Sequence, residues 1–123
     1  MPFDLDKMYC GAVHRGDIFL VEDVDKKQKA IVILQDNVLN DGLPTVVSAL
    51  VTPYERGDIM VNEVLLKKGE TGLGQDGICM LHKILTCERI MLVAKKGELK
   101  PEKLQEIYKT LDVSLGRFRD KKK

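Results

Sequence analysis

Three observations predict a mainly β fold: a small barrel or tightly curled sheet of about six strands with one long C-terminal α-helix. First, short apolar, β-branched runs recur at 18–21, 30–35, 45–51, 59–66, 78–81 and 90–94. Second, turn formers separate them, as Asn37, Asn40, Asp41, Gly42 and Pro44 do between the second and third runs. Asn, Asp and Gly accept positive φ and Pro fixes φ, so the chain reverses there. Third, only one stretch sustains helical spacing, through Leu104, Ile107, Tyr108, Leu111 and Leu115. Pro101 suits the first turn of that helix and Gly116 its end. A further helical turn is expected over 5–9.

A chain of 123 residues is long enough for one core that needs no disulfide or metal. The expected domain runs over 1–116. Residues 117–123 then form a basic, flexible tail in which Phe118 is the lone apolar anchor. There is no apolar run of about 18 residues, and MPFDLDKMYCGAV has neither a basic nor an apolar leader region, so a cytoplasmic chain without a membrane partner is expected. Cys10, Cys79 and Cys87 form no CxxC, which fits a reducing compartment. Net charge is +1, but residues 1–94 carry 10 Lys and Arg against 14 Asp and Glu, and 95–123 carry 10 against 5. A mildly acidic body argues against gripping long duplex nucleic acid through a basic face.

Several motifs have plain explanations. RGDI occurs at 15–18 and again at 56–59, each time read as a turn leading into a strand. GETGLGQDG at 69–77 is glycine-rich but lacks the GK[ST] ending of a phosphate loop, so it reads as a loop. Cys79, His82 and Cys87 give C-x-x-H-x4-C, yet an extended backbone points Cys79 and His82 to opposite faces and no fourth ligand is apparent. No metal and no cofactor are expected. His82 ends an apolar strand, a placement that suits either a structural histidine or an acid–base group, and His14 carries less signal. Alternation puts Val46, Ser48, Leu50 and Thr52 on one face of the third strand and Thr45, Val47, Ala49 and Val51 on the other. Thr52 then stands at the rim, just before Pro53, where a hydroxyl can cap a turn or donate to a phosphate oxygen.

The order of these motifs resembles the MazF/PemK family of growth-inhibiting toxins, related in fold to CcdB. The resemblance runs from Arg15 to about Gly116. It comprises Arg15, Gly16, Asp17 and Ile18 before the first strand, and KAIVILQDNVLNDGLPTVVSALVT at 29–52. Asp76, Gly77 and Ile78, then Lys83, Ile84, Leu85 and Thr86, then Gly97 to Leu99 and Ser114 to Gly116, complete it. The family implies an SH3-like barrel with a C-terminal helix and a homodimer whose groove an acidic antitoxin peptide occupies. It also implies metal-independent cleavage of single-stranded RNA. The substrate's own 2′-hydroxyl attacks the adjacent phosphate, leaving a cyclic phosphate and a free 5′-hydroxyl.

By this resemblance Thr52, Lys29 and His82 are the expected catalytic residues, and Arg15, Lys83, Ser48 and Thr86 the expected RNA contacts. The chain departs from the family pattern at several of these positions. Lys29 and Ala30 replace an arginine–proline pair, so the charge survives without the bidentate fork. Leu85 replaces a second arginine, Lys83 a glutamine, and His82 a position often acidic. Two alternatives stay open: a non-catalytic RNA-binding relative, and a CcdB-like poison that binds another protein.

Overall fold

The computed structural model describes residues 7–55 and 57–121. Residues 5 and 6 of the expected N-terminal turn, Arg56 of the second RGDI and residues 122 and 123 of the tail lie outside that set. The elements in chain order are β1 (Asp17–Glu22), β2 (Gln28–Ile33), α1 (Asn37–Gly42), β3 (Thr45–Pro53), β4 (Glu63–Leu66), α2 (Lys68–Thr71), β5 (Gly77–Glu88), β6 (Leu92–Glu98) and α3 (Pro101–Leu115). Short 3-10 turns follow at Arg89–Met91 and Arg117–Lys121.

The six strands form one antiparallel sheet in the order β4-β5-β3-β2-β1-β6. The mainly β fold with a C-terminal helix is as expected, but the sheet curls without closing, because its edges β4 and β6 do not pair. α2 seats its backbone against β6. A Cβ added at Gly72, which ends α2 at φ 73, would stand 2.0 Å from the Lys96 carbonyl oxygen, and one at Gly97 would stand 2.7 Å from the Thr71 carbonyl oxygen. Only glycine permits both the left-handed backbone and this approach.

Both faces of the sheet are covered over its middle, which is why the strands read as apolar runs and not as strict alternation. On one face Ile18, Val32, Ala49, Val51, Cys79 and Leu81 pack with Ile107 of α3, flanked by Leu104 and Leu111. On the other, Phe19, Val21, Ile31, Ile33, Val46 and Cys87 pack with Val13 and Leu92, and Tyr9 meets Phe19 edge-on at 4.9 Å between ring centres. Cys79 and Cys87 therefore belong to opposite faces. Gly116, at φ 68, caps α3 as its position predicted.

Three expectations about element bounds change. The fourth run does not begin at residue 59: Glu63 donates its N–H to the Met60 carbonyl at 3.0 Å and accepts the Met60 N–H through Oε1 at 3.0 Å, a turn that delays β4 to Glu63. The second RGDI thus leads into a loop. The fifth run is far longer than 78–81, reaching Glu88 through an irregularity where Leu50 faces Met80 but Ala49 faces Ile84. Finally, the reversal after β2 contains α1. Asp36 caps it by accepting the Val38 N–H at 3.1 Å, and the buried Asn40 donates to the Gln35 carbonyl at 2.9 Å while accepting from Gln35 Nε2 at 3.0 Å. Asn40 is thus a buried polar pivot as well as a turn former.

Candidate active site

Thr52 is the penultimate residue of β3, and its neighbour Val51 is buried in the core. β2 and β3 pair through Ala30↔Val51. One further step of that antiparallel register sets Lys29 across from Thr52, both on the face opposite Ala30 and Val51. Thr52 Oγ1 donates to Met80 Sδ at 3.7 Å. A thioether is a weak acceptor, so this proton is readily redirected to a better one. Lys29 is exposed, and no carboxylate among the described residues pairs with it.

Lys29 and Thr52 line one cleft of about 250 Å³, together with Gln28, Gln75, Asp76 and Gly77 and the apolar walls Leu20, Ala30, Val51, Pro53 and Leu73. Asp76 is the one carboxylate in that lining, and it is held in place. Its Oδ1 accepts the Lys68 N–H at 2.9 Å, its Oδ2 lies 3.8 Å from Lys67 Nζ, and its carbonyl accepts the Tyr54 N–H at 2.9 Å. The Thr52 hydroxyl and the Lys29 ammonium stand on the sheet face opposite the cleft's Ala30 and Val51 walls, the face of Met80 and Cys87, and the fixed carboxylate belongs to Asp76, two residues before Ile78, the partner of Thr52. That set can hold a phosphodiester and accept a proton beside it. Asp76 escaped assignment from the sequence because it sits in the glycine-rich segment read as a plain loop. The signal was there in Gly72 and Gly74, both at positive φ, which fold that segment back toward the end of β3.

The remaining expected site residues lie elsewhere. His82 and Lys83 are exposed in the irregular part of β5, and His82 is four residues beyond Ile78, the partner of Thr52, on the order of 13 Å of extended strand. Neither lines the cleft. Thr86 is exposed opposite Val47, farther still along β5. Ser48 is a correction: it is fully buried, and its hydroxyl donates to the Leu85 carbonyl at 3.0 Å, so it has nothing to offer RNA. Arg15 sits at the other end of β2. Its Nε donates to the Leu34 carbonyl at 3.1 Å, its guanidinium lies 3.5 Å from Asp36 Oδ1 and 5.8 Å from the Tyr108 ring centre, and these contacts give it a structural task.

The cysteines are packing groups. Burial pushes the Cys79 thiol from 9.0 to about 12. Burial also raises the Cys87 thiol, partly offset by its contact with Ser48 and by the positive field of Lys29. His82 is exposed, so the three residues of C-x-x-H-x4-C occupy two buried faces and the surface.

A family model described as "PemK-like, MazF-like toxin of type II toxin-antitoxin system" matches residues 14–115, most of the chain. The chain belongs to this family. Among proteins similar to it in sequence are those named Endoribonuclease MazF from Staphylococcus saprophyticus, 28% identical over 111 residues, and from Staphylococcus epidermidis, 29% identical over 111 residues. Each alignment covers 85% of this chain and 92% of the relative. A mycobacterial endoribonuclease solved in complex with its cognate antitoxin has the same fold, with a TM-score of 0.73 at 23% identity over 85% of this chain and 96% of that one. MazF from a MazE–MazF complex of Deinococcus radiodurans superposes with a TM-score of 0.69 at 18% identity, over 86% of this chain and 97% of that one. The PemK/MazF match spans both strands that carry the cleft, from Lys29 on β2 to Thr52 on β3, and the loop that carries Asp76.

Proposed function

We propose that this PemK/MazF-family endoribonuclease toxin cleaves single-stranded RNA without metal, at the end of the β2–β3 ladder where Thr52 and Lys29 share one face and Asp76 stands nearby. The observation that carries the reading is the β2–β3 register that sets Lys29 across from Thr52 on one face of the sheet, at the two positions where the family resemblance expects phosphate contacts. Asp76 takes the proton of the substrate's 2′-hydroxyl, O2′ attacks the adjacent phosphorus, and the P–O5′ bond breaks. Thr52 Oγ1–H and the Lys29 ammonium stabilise the negative charge that builds on the phosphoryl oxygens, where preorganised donors act most strongly. The departing 5′-oxygen takes a proton from water, which leaves a 2′,3′-cyclic phosphate and a 5′-hydroxyl. His82 has no part in this scheme, since it stands outside the cleft.

The chain works in the cytoplasm as a homodimer restrained by an acidic antitoxin peptide. Among the described residues no helix is long and apolar enough to cross a membrane. Val38, Leu39 and Leu43, in and after α1, are exposed apolar residues that a second subunit would cover. Solved relatives include complexes of MazF with MazE and of an endoribonuclease with its antitoxin. The test is to incubate the purified protein with a long unstructured RNA in excess chelator and to read the fragment ends. Cyclic phosphate and 5′-hydroxyl ends support the scheme. Chelator-sensitive cleavage or 5′-phosphate ends overturn the chemistry, and folded protein that cuts no RNA supports the binding-only alternative.

A further inference from the structure

A second cleft, of about 350 Å³, opens on the other side of Thr52 and Pro53 and is walled by the loop between β3 and β4. Among the described residues its polar side chains differ in kind from those of the first: apart from Thr52 and the Tyr54 hydroxyl they are the carboxylates of Glu55, Asp58 and Glu63. Phosphate contacts alone do not account for carboxylates placed here. A divalent cation does not explain it either, since no three carboxylate, histidine or cysteine groups among the described residues converge as metal ligands.

The rest of the cleft suits a planar, partly apolar ligand. Ile59 is 38% exposed and Met60 61% exposed, so apolar walls stand open to solvent beside the carboxylates. The Tyr54 ring is fixed by its hydroxyl, which donates to the Gly57 carbonyl at 3.0 Å. Glu63 is fixed as well. Its Oε1 accepts the Met60 N–H at 3.0 Å, which leaves Oε2 to receive a ligand donor. Splayed single-stranded bases are held in this way, with faces on apolar or aromatic side chains and edges on hydrogen-bonding groups.

We propose that this cleft receives the base of a nucleotide flanking the scissile phosphate and that the base is guanine, read by Glu63. Guanine alone among the four bases presents two adjacent donors, N1–H and the N2 amine, to a carboxylate. Cytosine and adenine offer one donor beside an acceptor, and uracil offers one between two acceptors, which carboxylates repel. The inference rests on the reading of Thr52 as the phosphate contact, because Thr52 lines this cleft together with Glu63 and its side chain shares the face of Met80, the cross-strand partner of Glu63.

The test uses short RNA oligonucleotides carrying a single 2′-deoxy sugar at the attacking position, so that binding is read without cleavage. Each flanking base in turn is guanine, hypoxanthine, adenine, cytosine or uracil, and binding to the full chain is followed by fluorescence anisotropy at one fixed salt concentration. Guanine at one flanking position should bind about 10-fold more tightly than hypoxanthine, which lacks only the N2 amine, and than uracil. Glu63→Gln keeps an acceptor for Met60 but turns the other oxygen into a donor. It should abolish the guanine preference and leave the uracil oligonucleotide bound as before. If Glu63→Gln does not fold, Glu55→Gln, on the exposed side of the loop, should still reduce the preference. Equal binding of guanine and hypoxanthine at every position, or a preference that survives both substitutions, overturns the proposal. A guanine preference in a protein that cuts no RNA would remove the catalytic reading alone, and cleavage with no base preference would remove this one alone.

Discussion

Lys29 stands across from Thr52 at the end of the β2–β3 ladder, one step beyond the Ala30↔Val51 pair, and the two side chains share the face opposite that pair. A lone ammonium at this position attracts phosphate but grips it at a single point, whereas a guanidinium would present a planar fork to two oxygens. Lys29→Ala should lower RNA cleavage by about 10²-fold, the scale of losing one preorganised donor. Lys29→Arg should retain the activity or raise it. Initial rates on a single defined RNA measure both, with circular dichroism confirming the fold.

Asp76 and His82 make a decisive pair for proton transfer, since only Asp76 lines the cleft. Asp76→Asn keeps an oxygen that can accept the Lys68 N–H but removes the base, so cleavage should fall by at least 10²-fold with little change in melting temperature. His82→Ala should change the rate by less than about 2-fold and leave the pH–rate profile intact between about pH 5 and 8. A flattened profile in His82→Ala would return proton transfer to the histidine.

Gly72 is the point where α2 meets β6. Gly72→Ala forces a side chain into the left-handed region and sets its Cβ 2.0 Å from the Lys96 carbonyl oxygen. The two penalties together should cost about 2–4 kcal/mol, one from the backbone and one from overpacking. A thermal melt would show a fall of roughly 10 °C. Gly74, also at positive φ but with no atom near its added Cβ, should suffer only the backbone part.

The thiols carry a pH dependence whose sign follows from burial. Cys79 holds its proton up to about 12 in the folded chain, against 9.0 when solvated. Between those values the unfolded chain releases a proton that the folded chain retains, so stability falls as pH rises from 9 toward 12. Cys87, also raised by burial, adds to the same trend. In native protein at pH 8 a thiol reagent should label only the exposed Cys10 quickly, and all three cysteines should react after denaturation.

Much of the sheet was readable because the physics was local. The alternation Val46, Ser48, Leu50, Thr52 against Ala49, Val51 is what the two faces of β3 show, and Pro101 and Gly116 bound α3 where their backbone preferences place them. What the sequence concealed depends on contacts between distant segments. Asn40 looks like a turn residue until Gln35 is seen to bury it, and Gly72 and Gly97 look like plain loop glycines until α2 is seen against β6. The candidate site divides along the same line. Thr52 and Lys29 meet because neighbouring strands pair in register, a local rule. Asp76 joins them through a loop, while Ser48, which looked available, is consumed by its hydrogen bond to Leu85.

The most direct measurement is the single-turnover cleavage rate of one short single-stranded RNA by wild-type protein and by Thr52→Ala, both in excess chelator, with RNA affinity followed in parallel. The structure predicts that wild-type protein cuts under chelation, and that Thr52→Ala binds the RNA within about 3-fold of wild type but cuts it at least 10²-fold more slowly, as loss of a donor to the developing charge requires. Equal rates for the two proteins, or no cleavage by folded wild-type protein, would contradict the assignment of Thr52 to the site of RNA cleavage.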